Sequence, residues 1–216
     1  MKPYFFVAGL PRSRTAFWAN FLTFGDSFCH HEASFDCATM AELQRAMTKV
    51  PMFTNHIGNA DPNLGLIPQK LLDTFPGARV VFIHRPIGDC VESLMAAATR
   101  ERLPETNRDD LKALMERASS GLAVLARALP EGRRVILGYN DMAKESAAKM
   151  IWEFCIPGTP FPLHRWNLLK HLRVTTVMRD RLDRSPHLPF NRLMAPSMES
   201  TQTSETVLEK RTALVS

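Results

Sequence analysis

The chain has 216 residues, 45% of them hydrophobic and 23% charged, with a net charge of +5. One globular domain with a full core, and at most a small appendage, fits those figures. The modest basic excess suits an anionic ligand and leaves nucleic acid open on charge alone, while the four cysteines, Cys29, Cys37, Cys90 and Cys155, form no CxxC pair and argue against a zinc site of the usual spacing or a disulfide framework.

An apolar run over residues 4–10 is cut short by Pro11-Arg12-Ser13-Arg14. It is too brief for a signal peptide or a membrane span, so the expectation is a soluble, cytoplasmic protein with no membrane partner. Residues 4–8 read as a buried parallel strand ended by Gly9. A helix is predicted over 15–24, with Trp18 in its core face, then a short strand over 27–30. Met40, Leu43 and Met47 share one helical face. A third strand is predicted over 51–55, and 59–65 has loop composition, which puts His56 and Asp61 in the loop after that strand, where a solvated position is the simpler reading and the lining of a binding pocket the alternative. A helix over 66–75 ends at Pro76-Gly77. Residues 79–83 give the clearest strand, rich in β-branched and aromatic residues without alternation, and His84 reads as a packed strand-end histidine. Helices follow over 87–100 and 108–129, then a strand over 134–138 and helices over 144–154 and within 161–172. Strands alternating with helices predict an α/β fold with a central parallel sheet and right-handed crossovers. The domain is expected over 1–175. A basic, Pro-punctuated and then polar tail, expected to be flexible, follows over 176–216.

Gly9-Leu10-Pro11-Arg12-Ser13-Arg14-Thr15 joins the first strand to the first helix. Ligands of open α/β sheets bind at the carboxyl ends of strands, and a helix N-terminus there offers free N–H groups to an anion. Arg12 and Arg14 add planar donor forks, and Ser13 and Thr15 add hydroxyls. This composition suits a phosphate. It is not a Walker A loop, because Arg14-Thr15-Ala16 stands where Gly-Lys-Ser/Thr would lie, which counts against a magnesium-dependent kinase or NTPase. Arg85 ends the clearest strand, and Ser93 lies eight residues on, so the two can converge on one anion.

The segment from Phe6 to Thr15 resembles the 5′-phosphosulfate loop of the sulfotransferase family, commonly Gly-x-Pro-Arg-Ser-Gly-Thr, with Arg14 at the usual Gly. The resemblance implies a P-loop NTPase-like three-layer α/β sandwich. It also implies that Gly9, Pro11, Arg12, Ser13, Arg14 and Thr15 hold the 5′-phosphosulfate of 3′-phosphoadenosine-5′-phosphosulfate (PAPS). Arg85 and Ser93 resemble the family's 3′-phosphate pair, with the neighbouring Pro shifted by one. Gly138-Tyr139-Asn140-Asp141-Met142 resembles its Tyr-Glu-Asp-Leu segment. The likeness runs over roughly residues 4–172 and implies sulfuryl transfer to a hydroxyl or amine of a small-molecule or glycan acceptor, without a metal.

Such a transfer needs a base within reach of the acceptor. His30-His31-Glu32 follows the second predicted strand, and family members use His or Glu. Glu32 is the first candidate and His31 the second; strand-end hydrogen bonding is the structural alternative. Arg12 is expected to stabilise charge on the leaving phosphate. Three other readings stay open: a different P-loop transferase or kinase, a non-catalytic adenine-nucleotide binder, and a nucleic-acid binder using Arg165, Lys170, Arg173, Arg179, Arg181, Arg184 and Arg192. For those charges a solvated basic tail is the simpler account. Nothing in the sequence encodes the acceptor or the oligomeric state.

Overall fold

Phe5, Phe6, Val7 and Ala8 are all buried, which a strand achieves only when both faces of its sheet are covered. The computed structural model describes residues 4–35, 37–101 and 107–171. The chain runs β1 (Tyr4–Gly9), α1 (Thr15–Leu22), β2 (Ser27–His31), α2 (Met40–Met47), β3 (His56–Asp61), α3 (Pro68–Thr74), β4 (Arg79–His84), α4 (Ile87–Glu101), α5 (Arg108–Ala128), β5 (Arg134–Gly138), α6 (Glu145–Cys155) and α7 (Leu163–Leu169). The five strands form one sheet in the order β2-β3-β1-β4-β5, and every pairing is parallel.

Alternation along β1 divides the core in two. Phe5 and Val7 face Phe17, Trp18 and Phe21 of α1, Trp152 of α6 and Trp166 of α7. Phe6 and Ala8 face Leu43 and Met47 of α2, Leu71 of α3 and Leu125 of α5. The result is helices, sheet, helices: the parallel-sheet α/β fold that the strand pattern predicts, in the three layers that the resemblance implies. A third cluster joins Leu10, just past β1, to Cys90 and Val91 of α4 and Met115 and Ala118 of α5.

The strand order locates the binding crevice. β1 feeds α1, which leads outward to β2, whereas its neighbour β4 feeds α4 and α5, which lead the other way to β5. The connections after two adjacent strands therefore diverge, and the gap between them at the carboxyl ends is where open α/β sheets take ligands. The Gly9–Thr15 loop lines one side of that gap, and the segment from Arg85 to Ser93 lines the other.

The structure corrects several expectations. The third strand is His56–Asp61, not 51–55, and the stretch expected to be a loop over 59–65 holds the end of β3 and a 3-10 turn at Leu64–Leu66. Met52 and Phe53, whose apolar character suggested the strand, are 98% and 69% exposed. β3 is buried despite its polar sequence because Gly58 lies under the Phe5 ring, where a Cβ would come within 2.0 Å, and because Asn59 and Asp61 are hydrogen-bonded internally. His56 and Asp61 are thus the two ends of β3, and Asp61 is fully buried. His30 and His31 lie within β2, not after it. His84 is exposed. The expected tail over 176–216 lies outside the described residues.

α7 is tied to α1 at its open end. The last carbonyls of a helix have no partner within it. Arg165 supplies one, donating from Nη2 to the Asn20 carbonyl and from Nε to that of Phe21 at 3.4 Å. Its guanidinium also stacks 5.3 Å from the centre of the Phe24 ring.

Candidate active site

The loop after β1 is held in an unusual backbone path. Gly9 is needed for close approach, since a Cβ there would lie 3.0 Å from that of Ser13 and 3.2 Å from Ile83 of β4. Ser13 N–H donates to the Leu10 carbonyl at 3.1 Å, closing the turn that Pro11 begins. Arg12 and Arg14 both have positive φ, 71° and 61°. Left-handed residues interleaved in such a turn bring N–H groups onto one concave side, an arrangement suited to anions. Arg14 is the N-cap residue of α1, and no side chain among the described residues caps that helix. The first-turn N–H groups of α1 therefore face the crevice without an intrahelical partner.

Both sides of the crevice are cross-connected. Arg12 Nε donates to Ser93 Oγ of α4 at 3.2 Å. Arg85, one residue past β4, donates through Nη1 to the Arg12 carbonyl. Its guanidinium carbon sits 4.2 Å from the centre of the Tyr139 ring. Register explains that contact: His84 pairs with Gly138, so Arg85 and Tyr139 leave adjacent strands side by side. One polar atom in this cluster, Arg85 Nε, is buried with no hydrogen-bond partner among the described residues, and buried Ser13 Oγ has the Cys90 thiol as its neighbour. The Cys90 thiol lies beside them; burial pushes it up, and Arg85 and Ser13 pull partly the other way.

Arg14 departs from its expected place. Its guanidinium carbon lies 4.7 Å from the centre of the Phe17 ring, and Nη2 donates to the Lys170 carbonyl at 3.5 Å. The side chain is thus turned onto α1 and the end of α7, leaving the Arg14 backbone as its contribution to the loop.

A second group reaches the loop from β2. His31 Nε2 lies 3.3 Å from Thr15 Oγ1 and 3.5 Å from Glu32 Oε1. Hydroxyl and carboxylate thus meet at one ring nitrogen, which ties the first residue of α1 to the end of β2. The side chains of His31 and Glu32 are only 6% and 14% exposed. Glu32 also has positive φ, 52°, and its N–H donates to the Ala60 carbonyl of β3 at 3.0 Å. The expected residues thus gather in two connected groups, Gly9 to Thr15 with Arg85 and Ser93, and Thr15 with His31 and Glu32.

Two neighbours were read differently in the sequence. Tyr139 was marked only by its segment's resemblance, although its position after β5 beside the clearest strand was available as a signal. Asp61 was expected in a solvated loop, because polar β3 did not read as a strand, and it is instead fully buried. No helix among the described residues is long and apolar enough to cross a membrane.

The sequence matches the sulfotransferase family over residues 24–156. No curated protein matches it significantly. Among solved structures, a sulfotransferase from Alicyclobacillus acidocaldarius is similar at a TM-score of 0.58 and 12% identity, over 84% of this chain and 90% of that one. A mouse sulfotransferase complexed with PAP is similar at 0.54 and 15% identity, over 79% of this chain and 63% of that one. The sulfotransferase domain from the curacin biosynthetic pathway is similar at 0.52 and 12% identity, over 97% and 96%. At such identities the structures speak for the fold, and the family rests on the sequence match. That match spans more than half of the residues, so the chain belongs to the sulfotransferase family.

Proposed function

We propose that this protein is a PAPS-dependent sulfotransferase that transfers a sulfuryl group to a hydroxyl or amine of a small-molecule or glycan acceptor. The observation that carries the reading is the cross-connected cluster of Arg12, Ser93 and Arg85, with Arg85 Nε buried and unsatisfied within it. Buried donors without partners are costly unless a ligand satisfies them, and a nucleotide with phosphates at both the 5′ and 3′ positions fits that need. When bound, PAPS supplies the sulfuryl group and the phosphate leaving group.

The loop N–H groups, Ser13 and Arg12 hold the 5′ end, and Arg85 and Ser93 hold the 3′-phosphate. Arg12 is the fixed positive charge that favours departure of a phosphate oxygen. The Tyr139 ring lies under the Arg85 guanidinium, which limits the freedom lost on binding. Glu32 accepts the acceptor's proton. His31, whose Nε2 meets both Thr15 and Glu32, orients that carboxylate with respect to the loop.

The test is a panel of hydroxyl- and amine-bearing acceptors incubated with PAPS and read by mass spectrometry. The expected result is a product heavier by one sulfuryl group, formed at least about a hundredfold more slowly by Glu32→Gln. Bound PAPS with no product from any acceptor would instead favour a non-catalytic nucleotide binder.

A further inference from the structure

The Asp61 carboxylate is fully buried at the end of β3, and the proposed chemistry does not use it. Four donors surround it. Oδ2 accepts from Ser34 N–H at 3.0 Å, from Ser34 Oγ at 2.6 Å and from Asn59 Nδ2 at 3.0 Å; Oδ1 accepts from Asn63 N–H at 2.9 Å. A carboxylate removed from water persists when such bonds replace its hydration. Asn59, also fully buried, accepts from Ala33 N–H through Oδ1 at 3.1 Å.

These bonds share one destination. Glu32, Ala33 and Ser34 each direct the backbone N–H to the end of β3: to the Ala60 carbonyl, to Asn59 and to Asp61. Phe35 N–H closes the turn on the Glu32 carbonyl at 2.9 Å. Glu32 sits in the left-handed region, which is unfavourable for a side-chain-bearing residue and survives only where its surroundings over-determine it. The bonds from 33 and 34 to β3 supply that determination.

We propose that Asp61 is a positioning residue whose cluster with Asn59 and Ser34 fixes the turn after β2 and so holds Glu32 against His31 and Thr15. The role rests on the reading of Glu32 as the proton acceptor. Any displacement of this turn moves Glu32 relative to a loop anchored on a different strand.

The test uses the full chain without ligand. The ring-nitrogen chemical shifts of His31 report its contact with Glu32, and they are compared in wild type, Asp61→Asn and Ser34→Ala. Ser34→Ala removes one donor and keeps the Asp61 charge, so it separates geometry from electrostatics. Both variants are expected to shift the His31 signals, with affinity for 3′-phosphoadenosine-5′-phosphate (PAP) within about threefold of wild type because the nucleotide loop is untouched. If Asp61→Asn fails to fold, Ser34→Ala decides alone. Unchanged His31 signals in a folded Ser34→Ala protein would overturn the proposal. Failure of wild type to bind PAP would bring down the nucleotide reading, while the His31 signals would still decide for or against Asp61.

Discussion

Arg14 shows how one position serves a backbone role and a side-chain role that pull in different directions. Its φ of 61° costs about 1 kcal/mol in a residue other than glycine, and its stacking on Phe17 returns ~0.5–1 kcal/mol. Arg14→Gly is therefore expected to change unfolding free energy by less than ~1 kcal/mol in a denaturant titration. Because the side chain faces Phe17 and Lys170, the same variant should keep PAP affinity within about threefold, whereas Arg12→Ala should lose more than about tenfold. A comparable loss from both would contradict this placement. The loop was legible because its arginines, hydroxyls and glycine lie consecutively in sequence. Where each side chain goes was not legible: the direction of Arg14 depends on α7, more than 150 residues away in the chain. The Thr15–His31–Glu32 cluster likewise joins residues whose proximity depends on β2 and α1 packing.

At the scale of elements, β1 and β4 were readable because strands covered on both faces form continuous apolar runs; β5 was readable from its Val-Ile-Leu run although it lies at the sheet edge with Ile136 exposed. β3 was not readable. Its residues His-Ile-Gly-Asn-Ala-Asp lack that run, and what allows burial is Gly58 under Phe5 and the internal bonds of Asn59 and Asp61, all dependent on other elements. Close backbone approach recurs where α5 crosses the turn before α3. A Cβ on Gly121 would lie 1.7 Å from the Gly65 carbonyl oxygen, while one on Gly132 meets nothing within 4 Å. Gly121→Ala is expected to destabilise by about 2 kcal/mol or more, and Gly132→Ala by less than about 0.5 kcal/mol. Equal shifts in denaturant midpoint would refute the close packing of α5. That packing also bears on the site, because Leu10 of the loop after β1 rests on Met115 and Ala118 of α5 and on Val91 of α4.

At the scale of the whole molecule, the alternation of elements made the parallel-sheet α/β fold legible, and the strand order then sets the crevice between β1 and β4. The acceptor was not legible, since the segments around it carry no local code. The core itself predicts a pH response. Cys29 and Cys155 are completely buried, and burial pushes both thiols up, with their mutual repulsion adding at Cys29; Cys90 is shifted the same way. Unfolded thiols ionise near about pH 8.5, so above that pH the unfolded chain binds fewer protons than the folded one and stability falls as pH rises. Denaturant midpoints should drop between about pH 7.5 and about pH 9.5, and Cys155→Ala should reduce the drop. A drop identical in the variant would show that these thiols do not drive it.

The central claim is that the crevice holds a nucleotide through both phosphates. Calorimetric titration with PAP, adenosine 5′-phosphate and Mg-ATP, for wild type and Arg85→Ala, tests it most directly. The account predicts preferential binding of PAP, a loss of at least about tenfold without the 3′-phosphate and a similar loss in Arg85→Ala. A preference for Mg-ATP, or PAP binding indifferent to Arg85, would contradict it.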